Sequence, residues 1–267
     1  MNLHENELNF HDKWAQSESL DVVQVLSTFE APTAQENRFI LEKMGDVSKK
    51  KILDVGAGLG EASVYFALKG AKVTSLDISP KMCEFTQALA KKFKVEVRSL
   101  VGTAEDICLE DSEFDFIYVA NLVHHIEDKE SLYRGLNRLL KPGGTIFFWD
   151  PLKYNPVVEI YRHIAVAVRS EGERPLGRAD LSLMGNQFSG LQLKMFWLSS
   201  MLLFLKYFLI DRISPNSSRY WKLIFFETEK SLWWWFPFKK LDILLLQIPG
   251  LRWLAWNVVA WGHKKYE

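Results

Sequence analysis

The stretch Asp54-x-Gly56-x-Gly58-x-Gly60 places a carboxylate and then glycines at every second position, at the end of the strand-like run Lys50–Val55. A second run, Ala71–Leu76, ends at Asp77, 17 residues after Gly60. Glycines at the end of a strand let a ligand lie against bare backbone. A carboxylate closing the next strand can accept hydrogen bonds from both hydroxyls of a ribose. Together they suit a cofactor that contains adenosine. A dinucleotide fingerprint would need a glycine at position 61, and the chain has Glu61 there. The spacing therefore argues against a nicotinamide dinucleotide.

The elements that must carry these residues alternate. Strands are predicted at 50–55, 71–76, 95–100, 116–119 and 145–149, with helices at 61–69, 80–93 and 129–140 between them. Such alternation means a mostly parallel, Rossmann-like α/β sheet with helices on both faces, seven-stranded once 191–197 and 256–261 are added. Pro142-Gly143-Gly144 turns the chain into the fifth strand. Before the sheet, 17–29 reads as a helix with Val22, Leu26 and Phe29 on one face, and a second helix carries Phe39, Ile40, Leu41 and Met44. After it, 155–169 reads as a helix, 170–179 as a polar loop and 198–250 as a helical, aromatic-rich insertion ahead of the last strand. We divide the chain into an N-terminal helical lid (1–45), a cofactor-binding domain (46–197), the insertion (198–250) and a final strand (251–267).

With these segments in order, the chain resembles the class I S-adenosylmethionine-dependent methyltransferases, in particular the bacterial group similar to ubiquinone and menaquinone C-methyltransferases. The resemblance rests on Leu53–Gly60, Val73–Pro80, Val101–Ile107, Phe114–Ile117 before Asn121–His125, and Leu136–Trp149 with Leu-Lys-Pro-Gly-Gly at 140–144. It covers roughly residues 45–150 and implies S-adenosylmethionine as cofactor. By position it implies that Asp54, Gly56, Ala57, Gly58 and Gly60 face the methionine moiety and that Asp77 binds the ribose. Ile78 would pack on adenine, Thr103, Ala104 and Glu105 would read its edge, and Asn121 and Leu122 would line the floor. Thr103 stands where many relatives have Asp, and a hydroxyl accepts the adenine amino group more weakly than a carboxylate.

The resemblance makes methyl transfer the expected reaction, and a base is needed only if the acceptor must lose a proton. His124 is the better placed candidate and Asp150, before Pro151, is expected on the acceptor side; the alternatives are a loop-filling histidine and a helix cap. Tyr154, Tyr161, Arg162 and His163 could line an acceptor pocket or simply a helix surface, and His11 and Trp14 could belong to the lid. No carboxylate cluster stands out, so no metal is expected.

Net charge is zero, which argues against nucleic acid as a partner. Residues 191–267 nonetheless carry 11 Lys and Arg against 5 Asp and Glu, and eight of the ten tryptophans. Lys194 and Lys206 leave an uncharged run of 11 residues between them, short of the roughly 18–20 needed to span a bilayer. Aromatic residues with surplus basic charge suit a membrane interface. Subdomain core, a homodimer interface and the wall of a pocket compete with that reading. Cys83 and Cys108 have no nearby partners, and the polar first fourteen residues hold no secretory signal, so a cytoplasmic protein, peripheral on the membrane face, is expected. The expected function is methylation of an apolar or lipid-linked small molecule. The alternatives are a soluble enzyme for a natural product or saccharide precursor, a silent scaffold and an NAD(P)-dependent oxidoreductase.

Overall fold

Seven strands build the frame on which every candidate residue is hung: β1 (Lys51–Val55), β2 (Lys72–Asp77), β3 (Val97–Val101), β4 (Phe114–Ala120), β5 (Leu140–Pro151), β6 (Phe188–Phe196) and β7 (Asn257–Lys264). The computed structural model describes residues 3–170 and 172–266, so one residue of the predicted loop, 171, lies outside the described residues. The strands form one sheet in the order β3-β2-β1-β4-β5-β7-β6. β1 to β5 run parallel to one another, and β7 is antiparallel to both β5 and β6. The chain winds outward from β1 to β3, then crosses back to place β4 on the other side of β1. A parallel sheet opens a crevice at such a reversal, beyond the carboxyl ends of its strands.

Strand side chains alternate between the two faces, and the core divides accordingly. Ile52, Tyr118, Phe147 and Trp149 enter one cluster, whereas Leu53, Ile117, Val119, Ile146 and Phe148 enter the other. The first cluster is covered by α2 (Ser27–Glu30), α3 (Gln35–Met44) and α4 (Glu61–Leu68) through Phe29, Ile40 and Phe66. α5 (Pro80–Lys92) joins them with Leu89 and Ala90. The second is covered by α6 (Lys129–Leu139) and α8 (Arg178–Gln187) through Leu132, Leu136, Leu181 and Met184.

Residues between β6 and β7 form short helices: α9 (Leu202–Leu205), which runs into a π-helical turn (Lys206–Ile210), then α10 (Tyr220–Leu223) and α11 (Phe236–Leu245). Trp197, Trp235 and Tyr220 are buried there in the first cluster. Ser199 and Ser200 donate to the buried Asp242 carboxylate, which also accepts the Leu198 and Ser199 backbone amides. That carboxylate ties α11 to the start of α9.

Two helices differ from the sequence reading. The segment 17–29 is mostly turns, with only Ser27–Glu30 helical. Val22 and Leu26 are about half exposed and only Phe29 of that predicted face enters the core. The helix of that region lies earlier, in α1 (Leu3–Ser17). The predicted helix over 155–169 ends early as α7 (Pro156–Ile164), followed by a 3-10 turn at Val166–Val168.

Candidate active site

The turn after β1 carries three glycines with positive φ, and each meets a different requirement. A Cβ on Gly56 would come within 2.9 Å of the Leu122 side chain, so this glycine lets the turn after β4 approach. A Cβ on Gly60 would lie 2.6 Å from Thr86 Oγ1, against α5. Gly58 faces open space, with nothing within 4 Å of its Cβ position. Only Gly56 and Gly58 line the crevice. Gly60, expected beside the cofactor, starts α4 in a left-handed conformation and lies against Thr86.

Asp77 closes β2 at the same edge. Its Oδ2 accepts the Gly58 amide at 2.8 Å and its Oδ1 accepts the Ser79 amide at 2.9 Å. Each oxygen keeps a second lone pair for a ligand hydroxyl. Burial raises this carboxyl, and His11 and the two amides pull it back. Asp54 accepts from Ser63 Oγ at 2.6 Å, and burial pushes it up to about 7. Ala57, Ile78, Thr103, Ala104, Glu105, Asn121 and Leu122 line the same crevice, as does Asp54. Asn121 holds the floor in a left-handed conformation while its amide donates to the Trp149 carbonyl.

Beyond β4 the wall becomes polar. His124 and His125 share one 3-10 turn, Val123–His125. Nδ1 of His124 lies 2.6 Å from Oδ1 of Asp150, which also accepts the His124 amide at 3.2 Å. Burial pushes Asp150 up to about 7 and holds His124 well below the usual imidazole value. Asp150 was expected to face the acceptor, or else to cap the next helix. It does neither. It is fully buried behind His124, and Asn155 is the residue that caps α7. His125 Nδ1 lies 3.1 Å from Glu7 of α1. Burial works against the Glu7 charge, yet hydrogen bonds from His11 and His125 hold its carboxyl far below the ordinary range.

α1 and α10 close over the opening. Trp14 meets Trp221 edge-on at 5.8 Å and carries the Arg219 guanidinium 4.2 Å above its ring. Lys222 Nζ reaches Glu61 Oε1 at 2.6 Å, joining α10 to the first turn of α4. Of the acceptor-pocket candidates, Tyr161 and Arg162 line the crevice, whereas His163 is exposed and Tyr154, ahead of α7, packs on Trp253. Sequence reasoning missed Glu7, Arg169, Glu173, Trp221 and Phe225, which also line it. Their contacts reach across the chain, 118 residues from Glu7 to His125 and 207 from Trp14 to Trp221, and nothing local marks them.

Comparison with known proteins agrees with this geometry. Residues 53–148 match a family described as a methyltransferase domain. A ubiquinone biosynthesis O-methyltransferase of Pseudomonas syringae pv. tomato is 34% identical over 124 residues, covering 45% of this chain and 52% of the relative. The Chromobacterium violaceum protein of the same name is 32% identical over 109 residues, 40% of this chain and 47% of the relative. The chain thus spans about half the length of the curated relatives it matches. A Galdieria sulphuraria structure, assigned provisionally as a sarcosine dimethylglycine methyltransferase, superposes with a TM-score of 0.59 at 21% identity, covering 98% of this chain and 99% of the other. A geranyl diphosphate C-methyltransferase from Streptomyces coelicolor gives 0.56 at 15% identity over 87% and 76%. At such identities the likeness is one of fold.

The crevice fits S-adenosylmethionine on its own geometry. Gly58 offers bare backbone where a side chain would fill the space, and Asp77 offers two buried acceptors beside it. The matched segment runs from β1 into β5 across both, so residues 53–148 form a methyltransferase domain of the class I S-adenosylmethionine-dependent kind.

Proposed function

We propose that the protein transfers the methyl group of S-adenosylmethionine to a hydroxyl oxygen of an apolar, quinone-like or lipid-linked small molecule. The carrying observation is the single crevice in which the Gly58–Asp77 edge continues into the His124–Asp150 pair under an aromatic roof. When bound, the cofactor supplies a methyl already activated on a sulfonium.

The residues of the chain bind, orient and exclude water. Asp77 takes the ribose, Gly56 to Gly58 border the methionine end, and Ile78 with Thr103 to Glu105 receive the adenine. Phe10, Trp14, Tyr161, Trp221 and Phe225 supply apolar wall for a ring or chain. An oxygen acceptor releases a proton on methylation. His124 is assigned to activating that hydroxyl through its free Nε2, and Asp150 is its positioning residue. The curated relatives carry O-methyltransferase in their names, which favours oxygen over nitrogen or carbon.

The reading extends to a peripheral contact with the membrane face. α7 packs on α9 through Tyr161 and Phe204, and α11 packs on the turn before α9. These three neighbours leave Val157, Ile160, Leu205, Phe208, Leu209, Ile210, Ile243 and Leu244 exposed. Residues 198–250 hold seven Lys and Arg against four Asp and Glu, which favours an anionic lipid surface. No helix of the described residues is long and apolar enough to cross a membrane.

The test is transfer of labelled methyl from S-adenosylmethionine to prenylated phenols, beside a sugar and an amine acceptor. Labelled methyl ether from the phenols alone supports the reading. Transfer only to the sugar or the amine would overturn it.

A further inference from the structure

We propose that His124, His125 and Glu173 form a binding site for a borderline divalent cation, such as zinc or cobalt, with its open positions toward the acceptor end of the crevice. The ligand atoms these three residues can offer lie within 4.8 Å of one another. All three line the crevice. The inference rests on the proposed function for its purpose: with a cation bound, His124 Nε2 is a ligand rather than a base, and the cation would acidify the acceptor hydroxyl so that its proton leaves to water before methylation. The binding itself can be read with no acceptor present.

The surroundings of the two imidazoles carry the argument. Each has its Nδ1 engaged by a separate buried carboxylate, Asp150 at 2.6 Å and Glu7 at 3.1 Å. That leaves Nε2 of each ring as its free nitrogen. An outer carboxylate on a histidine fixes the tautomer, aims the ring and raises its basicity, and metal-binding histidines almost always have such a partner. Orienting a single base would need one of these pairs. Here two adjacent histidines each have their own.

Glu173 is prepared in the same way. Arg169 holds its Oε2 through two hydrogen bonds, which leaves Oε1 as the free oxygen. The Arg174 amide donates to the His124 carbonyl at 2.7 Å, pinning the Glu173 loop beside the histidine turn. Of the two arginines beside Glu173, Arg169 bonds it directly, while Arg162 lies 4.0 Å from it and is shared with Glu159 at 3.4 Å.

Two nitrogens and one oxygen suit zinc, cobalt, iron or manganese better than magnesium or calcium, which prefer oxygen alone. A cation at about 2.1 Å from each ligand would hold them roughly 3.5 Å apart, so the side chains draw together on binding. The sequence gives no hint of this site, because Glu173 lies 48 residues beyond His125.

The experiment is titration of the purified protein with Co²⁺, read by visible absorption, and with Zn²⁺, read by calorimetry. The wild type, His125→Ala, Glu173→Gln and Asp77→Asn are compared, each also titrated with S-adenosylhomocysteine. The proposal expects one cation per wild-type chain and d–d bands of low coordination number. It expects at least tenfold weaker binding in His125→Ala and Glu173→Gln, with the homocysteine product bound as before. Asp77→Asn should do the reverse. A wild type that binds the product but no cation would overturn the site, as would cation binding untouched by both ligand variants. Cation binding without methyl transfer to phenols would instead leave the site standing and remove the acceptor reading.

Discussion

The backbone N–H of Gly58 donates to Oδ2 of Asp77 across 2.8 Å, so the turn after β1 and the end of β2 hold each other in place. Gly58 both lines the crevice and braces Asp77, whereas Gly60 lies against Thr86 of α5. Gly58→Ala puts a methyl into the open crevice at a left-handed backbone position, costing about 1 kcal/mol of stability. We expect it to weaken S-adenosylhomocysteine binding at least tenfold with only a few degrees lost in Tm. Gly60→Ala drives its methyl against Thr86 and adds the same backbone strain. It should lower Tm much more and leave the affinity of the surviving folded protein within a few-fold. Calorimetry beside thermal melts reads both. Equal losses in affinity would contradict the division.

Glu36 gives a pH dependence with a definite sign. It is buried on α3, accepts from Asn257 Nδ2 at 2.6 Å and from Trp197 Nε1 at 3.2 Å, and burial raises its carboxyl from 4.5 to about 6. The folded state therefore holds a proton more tightly than the unfolded chain. Its contribution is greatest below about 4.5 and is lost as pH rises through about 6, a change of about 2 kcal/mol. Asn257 Oδ1 is buried without a hydrogen-bond partner, so a flipped Asn257 amide can accept from a glutamine. Glu36→Gln should raise Tm by a few degrees at neutral pH, and the gain should vanish near pH 4.5. A lower Tm at neutral pH would show that the ionised carboxylate is favoured there.

The membrane reading predicts a surface effect separable from the donor site. Leu209 and Ile210 are the most exposed apolar pair in the π-helical turn, 64% and 74% accessible. Replacing both by Glu removes apolar contact and adds charge that anionic lipid repels. Co-sedimentation with anionic vesicles should fall at least fivefold, with S-adenosylhomocysteine affinity unchanged. Wild-type protein that stays in the supernatant would remove the membrane contact from the account.

Much of the donor half was legible because its signals are local. Leu53 to Gly60 is a strand feeding a turn, and Asp77 closes the next strand, so a period of two and a few glycines suffice. Spacing alone did not reveal which glycine lines the crevice: Gly60 turns toward Thr86, a contact made by a later helix. The polar half of the site was less legible. Asp150 was expected at the surface of the crevice but lies behind His124, since its partner comes from a turn 26 residues earlier. The N-terminal segment was read as a helical lid with His11 and Trp14 in it, but the bounds of α1 were not, because Glu7 and His11 interrupt the apolar pattern of its inward side. α8 was partly hidden in a segment read as a polar loop. Gly177 and Asp180 start it through a backbone-to-carboxylate hydrogen bond of 2.7 Å.

The central claim is a donor site built on Gly58 and Asp77, and calorimetric titration with S-adenosylhomocysteine tests it most directly, with NADH as control and Asp77→Asn as the variant. Asparagine keeps one acceptor oxygen and loses the charge, which removes about 1.5–3 kcal/mol from hydrogen bonds to the ribose. The account predicts micromolar binding to the wild type, at least tenfold weaker binding to the variant and none of NADH. Wild-type affinity retained by Asp77→Asn, or NADH bound in preference, would contradict it.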